Sequence, residues 1–135
     1  MTSYTLHHGD CLDVYAQRLP AMRNAARTHG YALALHGSGE RDCDLIAVPW
    51  ISEASKMSTL IEALRVAADG VIVGAFDGNL ADLPPYGDYM QRNPEPKPHG
   101  RYAWSIQIGN GRYFDVSVMP RLPDASVDAP QEARW

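Results

Sequence analysis

The chain has 135 residues and a formal net charge of −4, from 12 basic against 16 acidic side chains. That is about the size of one ordinary domain with a single core, and the charge balance excludes a broad electrostatic footprint for duplex DNA or an anionic membrane. No apolar run approaches the ~18 residues of a bilayer-crossing helix, and Met1-Thr2-Ser3-Tyr4 opens without the basic and apolar parts of a signal peptide, so a cytoplasmic protein with no membrane partner is expected.

Residues 1–9 carry little pattern. From Asp10 to His29, Leu12, Tyr15, Leu19, Met22 and Ala26 recur at spacings of three and four, which predicts an amphipathic helix with Arg18, Arg23 and Arg27 outward. Pro20 interrupts it. A proline inside a helix removes a hydrogen bond and kinks the axis, so the expectation is either a bent helix or a weak first segment with the firmer helix starting near Pro20. Gly30 serves as the C-terminal stop. Tyr31 to His36 then reads as a buried strand ending in the turn His36-Gly37-Ser38, and Asp42-Cys43-Asp44 leads a second apolar strand, Leu45 to Val48.

Because side chains alternate along a strand, Asp42 and Asp44 share one face and are able to hold an ion between them. Cys43 turns to the other face and is expected as a small buried core residue. It and Cys11 are too few for a disulfide scaffold or a four-ligand zinc site.

After Pro49 and Trp50, Ser52 is expected to cap a second helix, with Glu53 in its first turn and Met57, Leu60, Ile61, Leu64, Ala67 and Ala68 as one apolar stripe. Asp69-Gly70 ends it, and Val71 to Phe76 is a short apolar run fit for a strand. Asp77 to Gly100 contains Pro84, Pro85, Pro94, Pro96 and Pro98 without sustained periodicity, which predicts a long flexible loop over 77–100, either a functional flap or a mobile connection. Lys97, His99 and Arg101 form a basic cluster at its end, a solvated loop or a contact for nucleotide or nucleic acid.

Arg101 to Met119 reads as a hairpin about Gly109-Asn110-Gly111. A two-residue Asn110-Gly111 turn pairs Ile106 with Asp115 and sets an acid among Trp104 and Ile108. A three-residue turn pairs Ile106 with Phe114 and Trp104 with Val116, and leaves Ser105, Gln107, Tyr113, Asp115 and Ser117 on the other face. The second register is chemically coherent and is the one expected. Residues 119–135, poor in core-forming side chains, are expected as an extended or disordered tail after a single domain over 1–118.

The elements therefore alternate into an α+β fold: a small mixed or antiparallel sheet of about four to five strands with two main helices packed on one face. Gly37-Ser38, Asp42-Cys43-Asp44 and Phe114-Asp115-Val116 resemble, in order, the Gly-Ser, the Asp-x-Asp and the third carboxylate of the DNA polymerase β-like nucleotidyltransferase superfamily. The resemblance covers about Tyr31 to Val118 and looks closest to short single-domain members met in phage and bacterial genomes. It implies a nucleotidyltransferase-like fold and Mg²⁺, or Mn²⁺, as cofactor. It further implies Asp42 and Asp44 as metal ligands, Asp115 as the third acid that activates the attacking hydroxyl, and Gly37 and Ser38 as binders of a nucleoside triphosphate.

Elementary chemistry agrees with that set. Three converging carboxylates repel and raise one another's pKa unless a cation intervenes, hard oxygen ligands suit Mg²⁺ or Mn²⁺, and glycine allows close backbone approach to phosphates. Arg41 is a further candidate for reaching a phosphate. Two functions are expected from these residues. One is a metal-dependent nucleotidyltransferase moving a nucleoside monophosphate to a hydroxyl of a protein, nucleic acid or small molecule. The other is a catalytically inactive binding protein of the same fold, a phage or prophage factor acting on a host partner, in keeping with the three-residue link from Ser38 to Asp42 and with no legible helical domain for an acceptor.

Overall fold

A computed structural model describes residues 12–37, 42–72 and 94–121. The first helical stretch divides where its proline requires. A single turn, α1 (Asp13–Ala16), is followed by α2 (Leu19–Thr28), which carries Pro20 in its first turn, where the missing N–H has no helical partner to lose. Arg18, expected to point outward, instead lies in the break and ties it down. Its Nε donates to the Ala68 carbonyl and its Nη1 to the Val14 carbonyl, both at 2.9 Å. Tyr15, Leu19, Met22 and Ala26 are buried as their spacing demands.

The next helix, α3 (Met57–Ala68), starts four residues later than a cap at Ser52 implies, its N-cap position being Lys56. Ser52 does not cap it: the Ser52 hydroxyl donates to Glu53 at 2.7 Å within a turn, and α3 begins after Lys56 with no side-chain cap. The cause is tertiary. Ser55 donates its N–H to the His29 carbonyl (2.9 Å), its carbonyl accepts from the Tyr31 hydroxyl (2.7 Å), and its Oγ hydrogen-bonds His29 Nδ1 (2.9 Å). Those bonds anchor Ser55 against the end of α2, and α3 begins only after Lys56. Asp69 closes α3 in the left-handed conformation, as expected of an Asp-Gly stop.

Six strands, β1 (Tyr31–His36), β2 (Cys43–Pro49), β3 (Val71–Ile72), β4 (Glu95–Pro96), β5 (Tyr102–Gly109) and β6 (Arg112–Val118), form one mixed sheet in the order β1-β2-β6-β5-β3, with β4 also paired to β5. Among the described residues the count of six exceeds the four to five expected. The excess is β4, since β3 begins the strand expected at Val71; both are two-residue strands along the outer edge of β5, β3 opposite Gln107 and Ile106 and β4 opposite Ala103 and Tyr102. Two residues are too few to show a period, and Pro96 is tolerated because an edge strand leaves one side unpaired. Thus the end of the stretch expected as loop contributes a strand and a 3₁₀ turn, Pro98–Gly100. Residues 73–93 and 122–135, with the rest of the expected Val71–Phe76 strand, most of the loop and most of the tail, lie outside the described residues.

Among the described residues all strand pairs are antiparallel except β2 with β6. On one sheet face Tyr31, Cys43, Leu45, Ala47, Tyr102, Trp104, Ile106, Phe114, Val116 and Val118 are buried and share a core with Tyr15, Met22, Leu60, Ile61 and Leu64 from the helices. Tyr15 meets Phe114 edge-on, with ring centroids 5.0 Å apart. Among the described residues no helix is long and apolar enough to cross a membrane.

The β5–β6 hairpin reconciles the two registers. Gly109 pairs with Arg112, so the turn has two residues, Asn110 (φ 55°) and Gly111 (φ 74°), both left-handed as a type I′ turn requires. A bulge between Gln107 and Gly109 then absorbs one residue, and the ladder continues with Ile106 opposite Phe114, Trp104 opposite Val116 and Ser105 opposite Asp115. Asp115 consequently stands on the face away from the helices.

Candidate metal centre

The acids meet because β2 and β6 pair in parallel. Cys43 lies beside Phe114, Asp44 beside Asp115 and Leu45 beside Val116. Neighbouring strands are about 4.8 Å apart, so the register alone brings two carboxylates together. Asp42 stands two residues before Asp44, on the same face. The intervening Cys43, and Phe114 and Val116 around Asp115, are fully buried on the opposite face. Three core side chains therefore lock the backbone that carries the acids.

One carboxylate oxygen from each of Asp42, Asp44 and Asp115 lies within 4.8 Å of the others, and all three residues are partly buried. Oxygens sharing one Mg²⁺ at about 2.1 Å lie about 3.0 to 4.2 Å apart, so at most a small side-chain rotation closes the set on an ion. An all-oxygen, all-anionic donor set fits a hard divalent cation such as Mg²⁺, Mn²⁺ or Ca²⁺ and disfavours softer metals.

The electrostatics point the same way. Burial raises the Asp44 pKa above the ordinary carboxylate value, the charge of Asp42 raises it further, and His36, directly opposite on β1, pulls it back. Burial also raises that of Asp115, followed by the repulsion of Asp44. Lys97 opposes the rise, while Asp42 and Glu95 add to it. These carboxylates carry a cost that a bound cation removes.

Gly37 reaches the same place from β1. It has φ 79°, and a Cβ there would stand 3.1 Å from Asp44 Oδ2, so both the backbone conformation and the close approach favour glycine. Ser38 and Arg41, the other candidate phosphate binders, lie outside the described residues. Glu95 was not singled out from the sequence, because two flanking prolines read as loop. The alternation Glu95-Pro96-Lys97, at the period of a strand, was the available signal. His36, opposite Asp44 at the end of β1, belongs to the electrostatic surroundings of that acid. Of the basic cluster, Lys97 pairs with Glu95 at 3.3 Å and Arg101 donates to Ser117 Oγ at 2.8 Å. His99 takes a left-handed conformation in the 3₁₀ turn. A separate cavity of about 380 Å³ at the β1 edge, lined by Arg23, Arg27, Tyr31, Leu33, Trp50 and Ile51 among others, includes none of the three acids.

In comparisons with known proteins, no family model, curated protein or solved structure matches this chain. Fold and site together define an α+β protein whose mixed sheet carries an acidic triad able to hold a cation.

Proposed function

We propose that the protein is a metal-dependent nucleotidyltransferase of the DNA polymerase β-like superfamily, which moves a nucleoside monophosphate from a nucleoside triphosphate to a hydroxyl of a protein, nucleic acid or small molecule. The convergence of Asp42, Asp44 and Asp115 on the sheet face opposite α1–α3 carries this proposal. Asp42 and Asp44 would hold Mg²⁺ or Mn²⁺, which when bound neutralises charge on the entering and leaving oxygens of a phosphoryl displacement. Asp115 accepts the proton of the attacking hydroxyl, a task helped by the raised pKa that burial and Asp44 give it. The hydroxyl oxygen then bonds to the α-phosphorus as its bond to the bridging oxygen breaks, and pyrophosphate leaves with that electron pair. Gly37 leaves room beside Asp44 for a ligand that a side chain would crowd. A nucleoside triphosphate substrate supports a cytoplasmic location.

The test is transfer of label from α-³²P-nucleoside triphosphates in Mg²⁺ or Mn²⁺ to the protein itself or to acceptors in a lysate. Transfer lost in both Asp44→Asn and Asp115→Asn is the expected outcome. Calorimetric titration with Mg²⁺ and each triphosphate showing no binding, and no change in Asp44→Asn, defeats the proposal. A nucleotidyltransferase-fold binding protein without turnover is the second reading. It is favoured by the sequence, where only Gly39, Glu40 and Arg41 separate Ser38 from Asp42. Binding of metal and nucleotide without any labelled acceptor selects it.

A further inference from the structure

We propose that Lys97 and Arg101 form an anion subsite beside the acidic triad, taking phosphate oxygens of a polyphosphate whose metal ion the acids hold, with Glu95 keeping Lys97 in position until that ligand arrives. The inference rests on the metal-centre reading and adds the ligand's anionic half.

The strand register puts the groups on one surface. Glu95 pairs with Ala103 across β4–β5, and the Lys97 N–H donates to the Arg101 carbonyl at 2.9 Å, which continues the same ladder by one more pair. Directly opposite residues of an antiparallel pair share a face, as do residues two apart on one strand. Glu95, Lys97, Arg101 and Ala103 are thus on one face of their ladder. Ala103 pairs with Ser117 and Ser105 with Asp115, so that face is the one that carries the triad. Ser117 and Asp115 are two residues apart on β6, about 7 Å along the strand, a distance that a triphosphate chain spans.

Arg101 is already oriented. Its Nη1 donates to Ser117 Oγ at 2.8 Å and its Nε to the Pro98 carbonyl at 3.0 Å. Those bonds set the plane of a planar fork whose geometry matches phosphate oxygens. Lys97 is held more lightly. Its 3.3 Å pair with Glu95 joins side chains 38% and 54% exposed, and an exposed pair of this kind is worth little and is readily exchanged for a stronger anion. Lys97 also acts on Asp115, opposing the rise in that acid's pKa, so its charge is felt at the triad. Charge supplies the remaining reason. Three carboxylates and a triphosphate bring about seven negative charges and two divalent ions offset about four of them. Lys97 and Arg101 offset part of what is left.

The subsite predicts opposite responses to metal and to anion. By isothermal titration, Lys97→Met is expected to bind Mn²⁺ alone as well as or a few-fold more tightly than the unsubstituted protein, because a nearby positive charge is gone. In saturating Mn²⁺ it is expected to bind inorganic tripolyphosphate about tenfold more weakly, the size of one lost charge-assisted contact. Lys97→Arg, which keeps the charge, restores the tripolyphosphate affinity to within about twofold, and Arg101→Lys, which loses the fork, does not match it. Normal Mn²⁺ binding with tripolyphosphate affinity unchanged in Lys97→Met overturns this proposal alone. Equal weakening of Mn²⁺ and tripolyphosphate also overturns it, since that marks a structural role. So does a loss confined to a single-stranded DNA oligonucleotide. Absence of Mn²⁺ binding to the unsubstituted protein overturns the metal-centre reading and this inference with it.

Discussion

Asp115→Asn removes one negative charge from the triad at nearly constant volume, and the geometry gives its effect opposite signs without and with a divalent ion. Two unit charges 4.8 Å apart, the outer limit among these oxygens, repel by about 0.9 kcal/mol in water and about 3.5 kcal/mol at an effective dielectric of 20. Asp115 faces two such neighbours, loses the attraction of Lys97 when neutralised, and is partly screened by solvent. A net gain of about 1–3 kcal/mol for the metal-free variant is therefore expected, a rise of about 3–10 °C in Tm for a domain of this size. With Mn²⁺ at a hundred times its Kd, the unsubstituted protein gains about 2.7 kcal/mol, and the variant, short of one ligand, gains much less. Thermal melts in EDTA and in graded MnCl₂ read both effects. A variant that melts below the unsubstituted protein in EDTA, or that gains as much from Mn²⁺, refutes the claim that these three acids form one repelling, metal-binding set.

Three further outcomes are expected. Since burial raises the pKa of Asp44 and Asp115 in the folded chain, the native state binds more protons than the unfolded one. Metal-free stability should then fall as pH rises from the ordinary carboxylate range through the raised values, while Mn²⁺ affinity rises across the same window; denaturant titrations at several pH values check both slopes. Gly37→Ala places a Cβ 3.1 Å from Asp44 Oδ2 at φ 79°. It should cost about 1–2 kcal/mol of stability and several-fold in Mn²⁺ affinity, and unchanged Mn²⁺ binding by calorimetry speaks against a turn packed on the acids. Deleting Ile108 removes the bulge residue and leaves Gly109 opposite Arg112, Gln107 opposite Tyr113 and Ile106 opposite Phe114, so Asp115 keeps its face and the acids stay together. A cooperative melt with Mn²⁺ binding retained is expected, and loss of both contradicts the register.

Where side-chain period and local chemistry act within one element, the chain was legible. Helical spacing located the buried faces of α2 and α3, Pro20 located the break, and the coherence of Phe114 and Val116 with Trp104 and Ile106 selected the hairpin register. The failures share a cause. Ser52 met every local requirement of a cap, yet Ser55 is held by His29 and Tyr31, residues more than twenty positions away. Glu95–Pro96 became a strand only because the edge of β5 offered partners. The bulge that permits a two-residue turn and the odd register together was equally invisible, since each alternative satisfied a different local rule.

The acidic site divides along the same line. That Asp42 and Asp44 share a face, that Cys43 turns away from them, and that Asp115 opposes its hydrophobic neighbours all follow from the two-residue repeat of a strand, which the amino-acid order sets by itself. That Asp115 stands beside Asp44 does not follow from it. The contact exists because β6, 71 positions later in the chain, lies parallel to β2 with Cys43 against Phe114. That choice is made by the helices, whose burial of Leu45, Val116 and Ile106 against Tyr15, Met22 and Leu64 is satisfied only when these strands share one core.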